Sequence, residues 1–240
     1  MAKSSFCIHP AIIYSVIEKQ AGTIGKALLE LVMNAKDAGS DRVDLVITRQ
    51  GYRVTDQGRG FRNSQEITEW FSTFGTPHVE GDAYYGRFRM GRGQAMAFSA
   101  SEWRTGSFKM EVDIKGKGLD YDLTVDLPDH KGCEITGIWY KPLTAQQLKA
   151  AVKEIKEMVE WADFIVTVNG ETVSRDPAKE AWDRITADAY IRFEQQGGLK
   201  VFNLGVLVRS YPGYLMGACG TVVSRKALQV NFLHGPPMSA

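Results

Sequence analysis

Glu30, Asn34 and Asp37 place a carboxylate, an amide and a second carboxylate on the short stretch LLELVMNAKDAG. On a 3.6-residue helical wheel the three cluster roughly opposite an apolar stripe of Ile24, Ala27, Leu28, Leu31, Val32 and Ala35. Side chains of these types can hold a polar ligand or move a proton; a solvated helix face is the plain alternative. A second group follows at Asp56-Gln57-Gly58-Arg59-Gly60. Glycines at alternate positions let a planar ligand approach the backbone, and an acid beside them accepts a hydrogen bond from an amino group; a surface turn fits equally well. The third group is GRFRMGRGQAMAF, residues 86–98. Spaced glycines leading into a helix gather backbone N–H groups suited to phosphates. No Gly-Lys-Ser/Thr follows, which excludes a Walker A loop, and the third glycine and preceding strand of a dinucleotide fingerprint are missing.

Taken in order, ELVMNAKDAG, DQGRG and GRFRMGRGQAMAFS resemble the three sequence boxes of the GHKL ATPase superfamily, which includes DNA gyrase B, the large heat-shock chaperones, MutL mismatch-repair proteins and histidine kinases. Glu30, Asn34, Ala35, Asp37 and Ala38 match the first box; Asp56, Gly58 and Gly60 match the second. Gly86, Gly91, Gly93 and Phe98 match the glycine-rich third box in its chaperone and MutL form. The resemblance covers about residues 12–140.

It implies ATP and Mg²⁺ as ligands. Asn34 is then the metal-binding residue, its amide oxygen reaching an ion that bridges the phosphates; one such oxygen suffices because magnesium keeps its waters. Glu30 is the implied general base, Asp37 supports it, and Asp56 reads the adenine amino group while Gly60 gives the base room. Gly91, Arg92 and Gly93 wrap the phosphates. The glutamate opening the first box points to the chaperone, gyrase and MutL branch. His9, His78, His130 and His234 do not lie in a phosphoacceptor helix of the histidine-kinase kind.

The chain departs from the family at three places. His78 follows Phe74-Gly75-Thr76-Pro77 where MutL-like members often carry a lysine. Gly132-Cys133 stands where the family has Gly-Thr, and a thiol is a poor hydrogen-bond partner, which favours Cys133 as a packing substitute. After Asn231 the basic residue that the chaperone branch sends to the γ-phosphate is missing, leaving Lys200, Arg209, Arg225 and Lys226 as candidates.

The elements that must position these groups are legible around them. A first helix follows Pro10, and after a break at Ala21-Gly22 the stripe above makes a second, with Gly39 at its C-terminal cap. Val43, Leu45 and Ile47 alternate as a strand, and Arg49-Gln50-Gly51 turns it into a second strand over Tyr52–Thr55. Residues 61–87 read as irregular apart from a helical pattern near Ile67 and Phe71. A helix is expected over Gln94–Ser99 and strands from Trp103 to Tyr140. Thr144 and Gln147 form a capping box, Leu143 and Leu148 a hydrophobic staple, and Leu148, Val152, Ile155 and Val159 the core stripe of that helix. Asn169-Gly170 between apolar runs signals a hairpin. After about Asp176 the pattern restarts, with strands within residues 188–210 and 219–232.

The expected fold is α+β: a Bergerat-type two-layer sandwich of a mixed sheet with helices on one face, over residues 1–176. Residues 177–240 then begin a second α/β domain of the transducer or middle type. With 29 basic and 28 acidic residues the net charge is +1, which gives no bulk argument for nucleic acid or membrane. Cys7, Cys133 and Cys219 are odd in number and far apart, so neither a disulfide framework nor a zinc site is expected. No apolar run spans a bilayer and no signal peptide is evident, so a cytoplasmic protein is expected. The expected function is ATP binding with slow Mg-dependent hydrolysis, lid closure over about Thr73–Met90 and a nucleotide-dependent homodimer. The alternatives are a non-hydrolysing ATP-sensing interaction module and the ATPase part of a MutL- or topoisomerase-like DNA-acting protein.

Overall fold

In the computed structural model the described residues are 11–20, 22–74 and 91–228. They form two compact units, one containing the chain up to Val159 and again Phe164–Ser174, the other Glu160–Asp163 and the chain from Arg175 onward.

The first unit is built on an eight-stranded sheet. In chain order the strands are β1 (Arg42–Ile47), β2 (Gly51–Asp56), β3 (Ser99–Gly106), β4 (Phe108–Val112), β5 (Tyr121–Thr124), β6 (His130–Trp139), β7 (Ile165–Val168) and β8 (Glu171–Thr172). Their spatial order is β5-β4-β3-β6-β2-β1-β7-β8; β1 and β7 are parallel and the other neighbours antiparallel, so the sheet is mixed. Side chains alternate between faces with the period of two that a strand imposes. Val43, Leu45 and Ile47 on β1, Val54 on β2, Trp103 on β3 and Met110 on β4 are buried, whereas Arg53, Glu102, Thr136 and Ile138 are exposed on the opposite face.

Helices α2 (Ile24–Asp37) and α4 (Gly91–Met96) lie against the buried face, with α1 (Ala11–Gln20) packed on α4 and α6 (Ala145–Met158) on α2. Thr23 caps the start of α2, its side chain accepting the Lys26 N–H. The helix stops at a Schellman motif: Ser40 N–H bonds the Ala35 carbonyl and Gly39 N–H the Lys36 carbonyl, with Gly39 at φ +82°. Leu28, Leu31 and Val32 are fully buried, each worth about 1.5–3 kcal/mol of transfer free energy. Ile24 is only half-buried. The hairpin β7–β8 turns on Asn169 and Gly170, both at positive φ, which a type I′ turn requires.

The structure corrects three local expectations. The helix expected over Gln94–Ser99 is α4 at Gly91–Met96, and Ser99 opens β3 because Ser99, Ser101 and Trp103 share the period-two buried face. The helical pattern expected near Ile67 and Phe71 is present, but as a short α3 (Ser64–Glu66) running into a π-helix at Ile67–Ser72. There the hydroxyls of Ser72 and Thr73 donate to carbonyls five residues back, those of Ile67 and Thr68. The Thr144–Gln147 capping box is present, but α6 buries Ala151, Ile155, Met158 and the following Val159, leaving Leu148 and Val152 half-buried. A short helix α5 (Ile114–Lys117) also interrupts the run of strands.

The second unit is a five-stranded mixed sheet of β9 (Arg184–Ile185), β10 (Ala189–Phe193), β11 (Gly198–Asn203), β12 (Val206–Pro212) and β13 (Gly220–Ser224), ordered β12-β11-β13-β10-β9. Helix α7 (Gly213–Met216) connects β12 and β13. Trp161, Phe202 and Val223 form its core, with Trp182, Tyr190 and Leu207 packed on it.

Candidate functional site

The polar face of α2 carries Glu30 half-buried and Asn34 and Asp37 exposed. Glu30 and Asp37 are seven residues apart, two helical turns, and so share a side of the helix. Burial raises the Glu30 carboxyl above the ordinary glutamate range, and the negative charge of Asp37 raises it further. A carboxylate whose proton affinity is raised in this way is a stronger proton acceptor, once ionised, than an ordinary glutamate.

Asp56 ends β2 on the buried side of the sheet, where it pairs across strands with Cys133 of β6. Burial raises its carboxyl; the N–H groups of Gly58 and Cys133 and the nearby His130 pull it partway back. One of its oxygens accepts the Gly58 N–H at 2.7 Å. Cys133 is half-buried, and burial together with the charges of Asp56 and Glu134 pushes its thiol well up. A thiol held protonated packs rather than reacts.

Long-range hydrogen bonds bring these two groups together. Arg59 N–H donates to the Ala38 carbonyl at 2.9 Å, and Gln57 N–H donates to Ser40 Oγ at 3.0 Å. Ser40 is 1% exposed, and its hydroxyl in turn donates to the Arg42 carbonyl at 2.6 Å. The glycines make this approach possible. A Cβ on Gly58 would stand 2.9 Å from Ala38 Cβ, and one on Gly60, which has φ +62°, would collide with Thr105 Oγ1 and stand 3.0 Å from the Gly132 carbonyl. Phe61 N–H bonds the same Thr105 Oγ1 at 3.1 Å. The second box therefore closes onto the C-terminal end of α2. Ser40 and Thr105 were missed as positioning residues; their partners lie 17 and 44 residues away, and a lone hydroxyl gives no signal of that.

In the described part of the third box, Arg92 is engaged differently from what the resemblance implies. Arg92 is 6% exposed, and its guanidinium donates to the carbonyls of Phe71 and Thr73, both at 2.8 Å, while stacking 4.2 Å from the Phe74 ring. A Cβ on Gly93 would meet Ile17 of α1 and Phe74, each at 3.0 Å, so this glycine admits close packing. Gly91 begins α4. Gly86, His78, most of Thr73–Met90 and the tail around Asn231 lie outside the described residues. Of the basic candidates in the second unit, Arg225 bonds the Thr186 carbonyl at 2.6 Å, Lys226 pairs with Asp188 at 2.8 Å, and Arg209 stacks on Tyr211 at 5.1 Å. Lys200 lies on β11. An open cleft of about 580 Å³ is lined by Gln57, Arg62 and Ser107 on loops and by His130 and Lys131 at the start of β6.

Among the described residues no group of three or more His, Cys, Asp or Glu side chains could hold a metal, and no helix is long and apolar enough to cross a membrane. An exposed amide such as Asn34 still fits a magnesium that takes its remaining ligands from phosphates and water.

Residues 23–155, more than half of the chain, match the family model described as histidine kinase-, DNA gyrase B- and HSP90-like ATPase. No curated protein matches the sequence. Among solved structures, the crystal structure of the N-terminal domain of a DNA repair protein is similar at 15% identity with a TM-score of 0.43. That match covers 65% of this chain, and the chain spans about half (51%) of the matched one.

Proposed function

Because the chain belongs to the histidine kinase-, DNA gyrase B- and HSP90-like ATPase family, we propose that it binds ATP between the polar face of α2 and the Asp56–Gly60 loop and hydrolyses it slowly. The observation that carries this reading is the junction of the first two boxes, where Ala38 and Ser40 hold the loop that follows Asp56. In this reading the exposed amide of Asn34, the half-buried carboxylate of Glu30 and the buried acid of Asp56 face one ligand.

In this reading Asp56 accepts a hydrogen bond from the adenine amino group, and its anchoring to Gly58 N–H fixes the direction in which it accepts. Glu30 takes the proton from the attacking water, its proton affinity raised first by burial and further by the charge of Asp37. Asn34 offers its amide oxygen to Mg²⁺, which when bound neutralises phosphate charge. Since Arg92 is engaged with carbonyls, the phosphates are left to backbone groups of the glycine-rich stretch. Cys133 packs beside Asp56.

Calorimetric titration with Mg–ATP beside a phosphate-release assay tests the proposal. Micromolar to millimolar binding with slow turnover supports it. Binding without turnover assigns the chain to the ATP-sensing class, and no binding overturns the reading. Sedimentation with and without a non-hydrolysable ATP analogue tests the proposed nucleotide-dependent homodimer.

A further inference from the structure

The helical segment Ser64–Ser72 is gripped at both ends by arginines from the two glycine-rich stretches. At its start, Arg59 Nη1 donates to the Glu66 carboxylate at 3.0 and 3.1 Å, and the guanidinium lies 4.5 Å over the Trp70 ring. Asn63 caps the same turn by accepting the Glu66 N–H at 2.9 Å, and Glu66 also accepts the Arg62 N–H at 3.0 Å. At its far end Arg92 donates to the carbonyls of Phe71 and Thr73 and stacks on Phe74. Acid at the start and cation at the end is the polarity that a helix favours. The last carbonyls of a helix lack partners within it, so a buried guanidinium there satisfies them and itself together.

Between the grips the segment is fastened to the sheet. The Phe71 ring meets Trp103 at 5.3 Å, Tyr121 at 5.2 Å and Phe61 at 6.3 Å, and Ser72 Oγ is 2.6 Å from the Tyr121 hydroxyl. A π-helical turn held by hydroxyl bonds at both Ser72 and Thr73 is a costly geometry to maintain without a use.

We propose that Ser64–Ser72 is a strut that sets the spacing between the Asp56–Gly60 loop and α4, with Arg59 and Arg92 as its positioning residues. The proposal rests on the ATP reading above. It assigns Arg92 to the architecture of the site and not to contact with phosphate. A ligand that touches only the Asp56 loop is indifferent to that spacing, whereas ATP must satisfy both stretches at once.

The test is a double-mutant cycle with Arg59→Gln, Arg92→Lys and the pair, titrated with adenosine and with Mg–ATP, alongside hydrogen exchange over residues 64–74. The strut predicts little change for adenosine. Mg–ATP weakens roughly tenfold in Arg92→Lys and about threefold in Arg59→Gln, and the pair is no worse than Arg92→Lys alone. Arg59→Lys restores the Glu66 partner and the affinity. Additive losses, or an Arg59→Gln protein that binds ATP like wild type, overturn the strut, since either result leaves Arg92 acting independently of Arg59. Lower melting temperatures with unchanged affinities also overturn it. If the wild type binds no nucleotide, the ATP reading fails separately. Exchange that accelerates in each single variant and no further in the pair then retains the strut, and unchanged exchange removes it.

Discussion

The tripeptide Gly-Arg-Gly occurs twice, at residues 58–60 in a loop against the end of α2 and at residues 91–93 at the start of a helix. In the loop, Gly60 sits at positive φ, and both glycines face neighbours so close that a methyl group would collide. In the helix, Gly93 faces the tips of Ile17 and Phe74, which can yield slightly. The arginines differ as much. The Arg59 side chain is 35% exposed and bonds a carboxylate, whereas Arg92 is buried and bonds two carbonyls. Identical text therefore serves two ends: the first tripeptide holds the loop beside the candidate ligand corner, and the second packs helices. What separates them is the backbone conformation and the distance to the next element, neither of which is written in the tripeptide.

The largest expected effect is on α2, the helix against whose end the first tripeptide is held. Glu30→Ala is expected to lower ATP turnover roughly 10²-fold or more while leaving affinity nearly intact, as removal of a general base does. Turnover unchanged in a purified, ATP-binding variant would take the chemistry away from α2 and break the contrast.

The two tripeptides can be compared directly by placing alanine in each. Gly60→Ala forces a side chain into the left-handed region and against Thr105 and Gly132, an expected loss of about 2–3 kcal/mol in urea denaturation. Gly93→Ala has ordinary helical backbone and a gain in helix propensity to offset its tight contacts, so stability should stay within about 1 kcal/mol of wild type. Equal losses at the two positions would erase the distinction.

Asp56→Asn keeps the shape but replaces an acceptor with a group that also donates, so ATP affinity is expected to fall by ~1–3 kcal/mol and the preference over GTP to shrink. Calorimetry with both nucleotides checks this.

The smallest effect concerns pH. Glu30 acts as a base only when ionised, and its raised pKa places the acidic limb of turnover above the ordinary glutamate value. Asp37→Asn removes the second of the two causes of that shift, so the limb should move to lower pH without returning fully, because burial remains the larger cause. The same shift makes Glu30 cost the folded state stability as pH rises from the unfolded value toward the raised one. A pH–rate profile of the variant that overlays wild type would uncouple the two carboxylates.

Features confined to a few neighbouring residues were legible in the sequence. The apolar stripe of α2, the stop at Gly39, the β1–β2 hairpin, the Thr144–Gln147 capping box and the Asn169–Gly170 turn each depend on contacts within about one helical turn or one reversal of chain, so residue type and spacing carry them. The three boxes were legible as text; that Asp56 and Cys133 are cross-strand neighbours was not. Only the tertiary structure decided where the polar groups were directed. Ser40 meets Gln57, Thr105 meets Phe61, and Arg92 reaches back 19 and 21 residues to the carbonyls of Thr73 and Phe71. The same holds for the start of β3 at Ser99 and for the buried side of α6, where Ala151 and Met158 outrank Leu148 and Val152. A buried hydroxyl or guanidinium bonds whichever backbone group the packing of distant elements brings within about 3 Å, and short-range periodicity holds no record of that choice.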